Sequence, residues 1–245
     1  MVTAAAQHWF FVHLHKTAGT SLLQRLRMAL GKDAVYPTVS DNWTYFATMN
    51  LDLLRQRFAE QAGRIRVVTG HFPLCTTELL GAPFVIFTVL RDPVERTLSA
   101  LRDMRERDAE HRGKPLQEIY ADPVKFRCLI QNHMVKMLAM TPEEMTDDGF
   151  LTVLDLDTDH LERAKRNLVE RIDLWGVQEH FEEFCDELMR VSGWDLGPPQ
   201  FANPSTPYPA EAGLRERIAE DNRLDIELYR FAVELREQRS ATPSL

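Results

Sequence analysis

The segment Phe84-Val85-Ile86-Phe87-Thr88-Val89-Leu90 carries an apolar or β-branched residue at every position of both alternating faces. A strand of that pattern cannot lie open to water on either side, so it calls for parallel neighbours and a helical layer above and below. Three shorter runs have similar character. His8-Trp9-Phe10-Phe11-Val12-His13-Leu14 ends abruptly in a Gly/Thr/Ser segment, and Arg66-Val67-Val68-Thr69-Gly70 stops at Gly70-His71-Phe72-Pro73. The third is Leu174-Trp175-Gly176-Val177.

Between these runs the apolar spacing turns helical. Leu22, Leu23, Leu26 and Leu30 form one stripe, with Gln24, Arg25 and Arg27 opposite and Gly31 as a stop signal. Further helices are expected at about 51–62, 123–139, 160–171 and 179–191, with one long amphipathic helix from about 210 to 238. Asp92-Pro93-Val94-Glu95 opens another, with Asp92 as cap, Pro93 at the first helical position and Glu95 where a capping box places its acid. Residues 33–50 read as irregular and aromatic, 102–114 as a charged, solvated helix end or loop, and 197–209 as a Pro-rich loop. Strands alternating with helices predict one α/β domain over residues 1–245, with a central parallel sheet flanked by helices.

A net charge of −8 argues against a general basic surface for nucleic acid, so any anion site must be local and built from a few donors. Cys75, Cys128 and Cys185 are odd in number and far apart, which favours buried, reduced thiols over a zinc site. The first 14 residues lack the basic stretch of a signal peptide, and no segment reaches the roughly 18 apolar residues of a membrane span. A cytosolic chain is expected.

Two segments concentrate chemistry. His15-Lys16-Thr17-Ala18-Gly19-Thr20-Ser21 joins the first strand to the first helix. A turn at a helix N-terminus points backbone N–H groups outward, where the dipole favours an anion. Thr17, Thr20 and Ser21 add hydroxyls and Lys16 a mobile charge. The loop is not a Walker A motif, which has a second glycine and places its lysine at the end of the loop. The second segment is Leu90-Arg91-Asp92-Pro93-Val94-Glu95-Arg96-Thr97-Leu98-Ser99. Arg91 follows the central strand, where open α/β sheets bind ligands, and its forked guanidinium suits a phosphate. Taken singly, each segment also reads as an ordinary helix cap or a strand-end arginine.

Taken together, they resemble the carbohydrate sulfotransferase family that includes the heparan sulfate 2-O-sulfotransferases. Phe11 to Leu22 resembles that family's 5′-phosphosulfate loop, and Leu90 to Ser99 its 3′-phosphate motif, in the same order and at similar separation. Gln131-Asn132-His133-Met134, Leu174-Trp175-Gly176-Val177 and Asp221-Asn222-Arg223-Leu224-Asp225-Ile226-Glu227-Leu228-Tyr229 are similar to later family blocks. The resemblance implies a P-loop-like sulfotransferase fold and transfer of a sulfuryl group from 3′-phosphoadenosine 5′-phosphosulfate (PAPS) to an acceptor hydroxyl. The product would be 3′,5′-ADP, and no metal would be required. It implies that Lys16 contacts the 5′-phosphosulfate and that Thr17, Ala18, Gly19, Thr20 and Ser21 cradle the 5′-phosphate. Arg91 and Ser99 would hold the 3′-phosphate, with Asn203 and Ser205 on a segment that closes over the nucleotide. His71, in a Gly-His segment where related enzymes place a catalytic histidine, would be the general base; a strand-end cap or a carboxylate base are the alternatives.

One departure is His15, where the family pattern has proline. The acceptor, a saccharide or a small molecule, is not legible, although an acidic chain favours a small or neutral one. The membrane anchor of animal Golgi members is not seen, which points to a bacterial enzyme or to a chain whose anchor has been removed. Two other readings compete: a P-loop kinase-like phosphotransferase, which needs an acid after an apolar strand to hold magnesium, and a non-catalytic nucleotide binder.

Overall fold

In a computed structural model of the chain, residues 8–41, 46–146, 148–198 and 213–241 are described. Five strands form one all-parallel sheet: β1 (His8–Val12), β2 (Val35–Tyr36), β3 (Val67–Gly70), β4 (Phe84–Leu90) and β5 (Leu174–Val177), in the order β2-β3-β1-β4-β5. The expected α/β architecture is present, and β2 is a short edge strand inside the segment read as irregular.

The helices are α1 (Gly19–Leu30), α2 (Leu51–Gln61), α3 (Thr76–Leu80), α4 (Pro93–Arg107), α5 (Leu116–Tyr120), α6 (Pro123–Lys125), α7 (His133–Ala139), α8 (Thr158–Glu170), α9 (Phe181–Ser192), α10 (Leu214–Asp221) and α11 (Arg223–Ala241). Two expected long helices are broken. The stretch at 123–139 passes through a π-helical turn at Phe126–Ile130 and a left-handed Asn132 before α7 begins. The stretch at 210–238 is interrupted at Asn222, whose side-chain carbonyl receives the Asn132 N–H at 2.9 Å.

Strand periodicity divides the core. Phe10 and Val12 of β1 face one side with Val68, Ile86 and Leu90, against α2, α7, α8 and α11. Trp9 and Phe11 face the other with Val85, Phe87 and Val89, against α1 and α9. A satellite cluster packs α4, α5 and α10. Tyr36 is fully buried and donates to the Ala47 carbonyl at 2.9 Å, so it belongs to the core. Trp43 and Tyr45 lie outside the described residues. All three cysteines are buried and free. No helix of the described residues is long and apolar enough to cross a membrane.

This strand order has a topological switch point between β1 and β4. The chain leaves β1 toward β2 and β3 on one side and leaves β4 toward β5 on the other. The crevice between two strands with diverging connections is the binding site of open α/β sheets, and here it opens above the carboxyl ends of β1 and β4.

Candidate anion and histidine site

The loop after β1 is built under backbone constraint. Lys16 and Ala18 both have left-handed φ, 68° and 66°, a conformation that costs a non-glycine residue about 1 kcal/mol or more and persists only where the surroundings demand it. Thr17, between them, is fully buried, and its hydroxyl donates back to the Leu14 carbonyl at 2.9 Å. The hydroxyl therefore pins the turn and gives its hydrogen to the main chain.

Helix α1 starts directly on this turn, and Ala18 offers no capping side chain. By contrast α2, α4 and α8 are capped by the side chains of Asn50, Asp92 and Asp157. An uncapped first turn leaves N–H groups without intrahelical acceptors, and an anion satisfies them. Thr20 is exposed on that turn and Ser21 half-buried. Gly19 is needed for space: a Cβ there would lie 2.0 Å from the His13 ring.

From the other lip of the crevice, Arg91 follows β4 and donates to the Lys16 carbonyl at 3.0 Å across 75 residues of sequence. Its Nε is buried without a partner among the described residues, and the same holds for Arg102 Nε on α4. Burial is the main cause that lowers the Arg91 guanidinium below its ordinary value; Glu95 and Glu179 act against this and the Arg102 charge adds to it. Arg91 and Arg102 are near enough to act on each other, with Glu95, Glu179 and Asp92 beside Arg91 and Asp103 paired with Lys16. Arg102 was hidden in the charged run that reads as solvated. Lys16 Nζ rests 3.2 Å from Asp103 on the same helix, and Ser99 sits half-buried one turn before Asp103.

Asp92 accepts from the N–H groups of Val94 and Glu95, so it is the expected cap of α4. The capping box is not completed, because Glu95 pairs with Arg215 and the Asp92 N–H faces Glu179 at 3.4 Å. Asn203 and Ser205 lie outside the described residues.

Beside the loop, four histidines from three segments form a cluster, and His15, His71 and His133 pack on Phe150. His71 stacks on Phe150 with ring centroids 4.7 Å apart, His13 lies 4.6 Å from His71, and His15 lies 5.5 Å from it edge-on. His133, at the start of α7, is 6.5 Å from His15 and 5.7 Å from Phe150. Lys136 holds this segment by donating to the carbonyls of Cys128, Phe150 and Thr152; burial pushes its ammonium down to about 8. All four imidazoles are held below the ordinary histidine value, first by burial. His71 is brought down to about 4, although its bond to the His13 carbonyl works the other way. His13, His15 and His133 are also lowered by neighbouring positive groups. Both ring nitrogens of His133 and Nδ1 of His15 have no hydrogen-bond partner among the described residues. His133 lies in the block Gln131-Asn132-His133-Met134, but only the tertiary fold brings it beside His15.

Backbone geometry puts His71 in place. Gly70 has φ 153°, and a Cβ there would meet the Thr48 carbonyl at 2.7 Å. The His71 N–H then donates to that same carbonyl at 2.7 Å. One metal-type grouping exists among the described residues, Asp108, Glu110 and His111, and Lys125 Nζ occupies it with bonds of 2.8 Å to each carboxylate.

No protein-family model matches the chain. No curated protein matches it in sequence either.

Proposed function

We propose that the chain is a sulfotransferase that moves a sulfuryl group from PAPS to an acceptor hydroxyl. The observation that carries this reading is the meeting of Lys16 and Arg91 at the β1/β4 crevice, over an uncapped α1 and beside a neutral, buried His71. Each group has a task in such a transfer. The N–H groups of the first turn of α1 receive the 5′-phosphate. Lys16 stabilises the charge that grows on the bridging oxygen as the S–O bond breaks, and Arg91 with Ser99 takes the 3′-phosphate. The acceptor oxygen forms the new S–O bond, and its proton passes to His71. The carbonyl of His13 fixes the proton of His71 on Nδ1, leaving Nε2 as the basic atom.

A kinase-like reading has less support. The acid after β4, Asp92, is committed to capping α4, and Lys16 stands at the start of its loop. The deciding experiment compares thermal stabilisation by 3′,5′-ADP without magnesium with that by ATP plus magnesium. Stabilisation by the first supports the proposal, and stabilisation by the second alone would sink it. Transfer of labelled sulfate from PAPS in an acceptor screen of saccharides and small hydroxyl compounds then separates an enzyme from a nucleotide binder.

A further inference from the structure

The ammonium of Lys16 already has an anionic partner. Its Nζ lies 3.2 Å from Asp103 Oδ1, and both side chains are only 24% exposed. Asp103 is shared, because the same oxygen accepts from Arg107 Nε at 2.8 Å, and Arg107 is 78% exposed. Asp103 lies one turn beyond Ser99 on the face of α4 turned toward the loop, since residues four apart on a helix are neighbours. Meanwhile Arg91 fixes the backbone of Lys16 at its carbonyl, and the left-handed φ of Lys16 sets the direction in which its side chain leaves. The main chain is fixed, so the ammonium can change partner without moving the loop.

We propose that Asp103 is a positioning residue that acts through Lys16: it holds the ammonium beside the α1 N-terminus and gives it up to an incoming phosphate or sulfate. This extends the reading of the crevice as an anion site. A carboxylate at the rim of such a site serves no attraction for an anion. It opposes one by its charge and occupies the cation the anion needs. An ion pair with this much exposure is weak enough to exchange readily, so Asp103 lowers anion affinity without closing the site. In return the ammonium stays oriented instead of sampling many rotamers.

The test is calorimetric binding of inorganic sulfate and of 3′,5′-ADP to wild type, Asp103→Asn, Asp103→Glu, Lys16→Ala and the Lys16→Ala/Asp103→Asn pair. Asp103→Asn is expected to bind both ligands about three- to tenfold more tightly, and Asp103→Glu to stay within about twofold of wild type. In the Lys16→Ala background the same asparagine should gain less than about twofold. Equal gains in both backgrounds would mean a diffuse charge effect, and no gain in either would mean no competition; both outcomes overturn the proposal. Arg107→Ala keeps the question open if Asp103→Asn does not fold. It leaves Asp103 to Lys16 alone and should weaken sulfate binding about twofold, whereas tightening would count against the exchange. The Lys16 ammonium resonance, assigned by its loss in Lys16→Ala, should shift on adding sulfate, and a static resonance on a protein that binds sulfate refutes the release. If sulfate shows this pattern while 3′,5′-ADP does not bind wild type, the nucleotide reading fails and the exchange stands. If neither ligand binds any variant, both fail.

Discussion

His71 stands with Nδ1 3.1 Å from the carbonyl oxygen of His13, a group that can only accept, so the hydrogen is on Nδ1 and the lone pair on Nε2. Burial brings the ring down to about 4, which keeps it unprotonated throughout the neutral range. For the proposed sulfuryl transfer, kcat/KM is therefore expected to be flat from about pH 6 to pH 8, with the acid limb well below the ordinary histidine value. A half-loss centred near 6.5 would show that His71 is exposed or is not the base.

The same burial makes the fold sensitive to acid. A histidine whose folded value is depressed binds more protons when unfolded, so stability is complete above the unfolded value of 6.5 and drains away as pH falls toward about 4. For His71 alone the full window is worth about 3 kcal/mol. His13, His15 and His133 shift in the same direction, so the slope should exceed that of one proton. Urea denaturation at pH 7.5 and pH 5 measures it, and equal unfolding free energies at the two values would contradict a buried cluster.

Gly19→Ala places a methyl group 2.0 Å from the His13 ring, in a loop already bent through two left-handed residues. Neither side can yield cheaply, and the expected loss is about 2–3 kcal/mol together with sulfate binding. Truncating the opposing ring should restore much of the stability in the Gly19→Ala/His13→Ala pair. Thermal denaturation of Gly19→Ala, His13→Ala and the double variant checks this, and a double variant no better than Gly19→Ala alone would mean that the clash is not what matters.

The sheet, the crevice and the loop were legible because their signals are local. Two-sided apolar runs make buried strands, and a change of period at Gly19 marks the start of α1. Arg91 could be singled out because it directly follows β4, and Lys16 because it lies in the polar loop between β1 and α1. The histidine cluster was not legible: His15, His71, His133 and Phe150 come from four segments that only the packing of α7 and the 150 region against the sheet brings together. Arg102 was obscured by its charged neighbours, which say nothing about which face of α4 meets the loop. Glu95 looked like half of a capping box, and a partner distant in sequence, Arg215, took it instead.

The position of His133 depends on a reciprocal clamp between the starts of α7 and α11. Asp225 is fully buried and accepts from the N–H groups of Met134 and Val135 at 3.0 and 2.8 Å, capping α7 from the other helix. In return, Asn132 Oδ1 accepts from the N–H groups of Leu224 and Asp225 at 3.1 and 3.2 Å. Asp225→Ala would leave buried backbone donors unpaired and remove a buried carboxylate that acts electrostatically on the buried Arg96, at a cost of about 3–5 kcal/mol. Asp225→Asn keeps one acceptor oxygen and should lose less. Guanidinium denaturation separates the two variants. Because the cap fixes where α7 begins, Asp225→Asn should also disturb the His133 ring resonances while sparing those of the α1 loop. An alanine variant as stable as wild type would show that these N–H groups find other acceptors and that the clamp does not place His133.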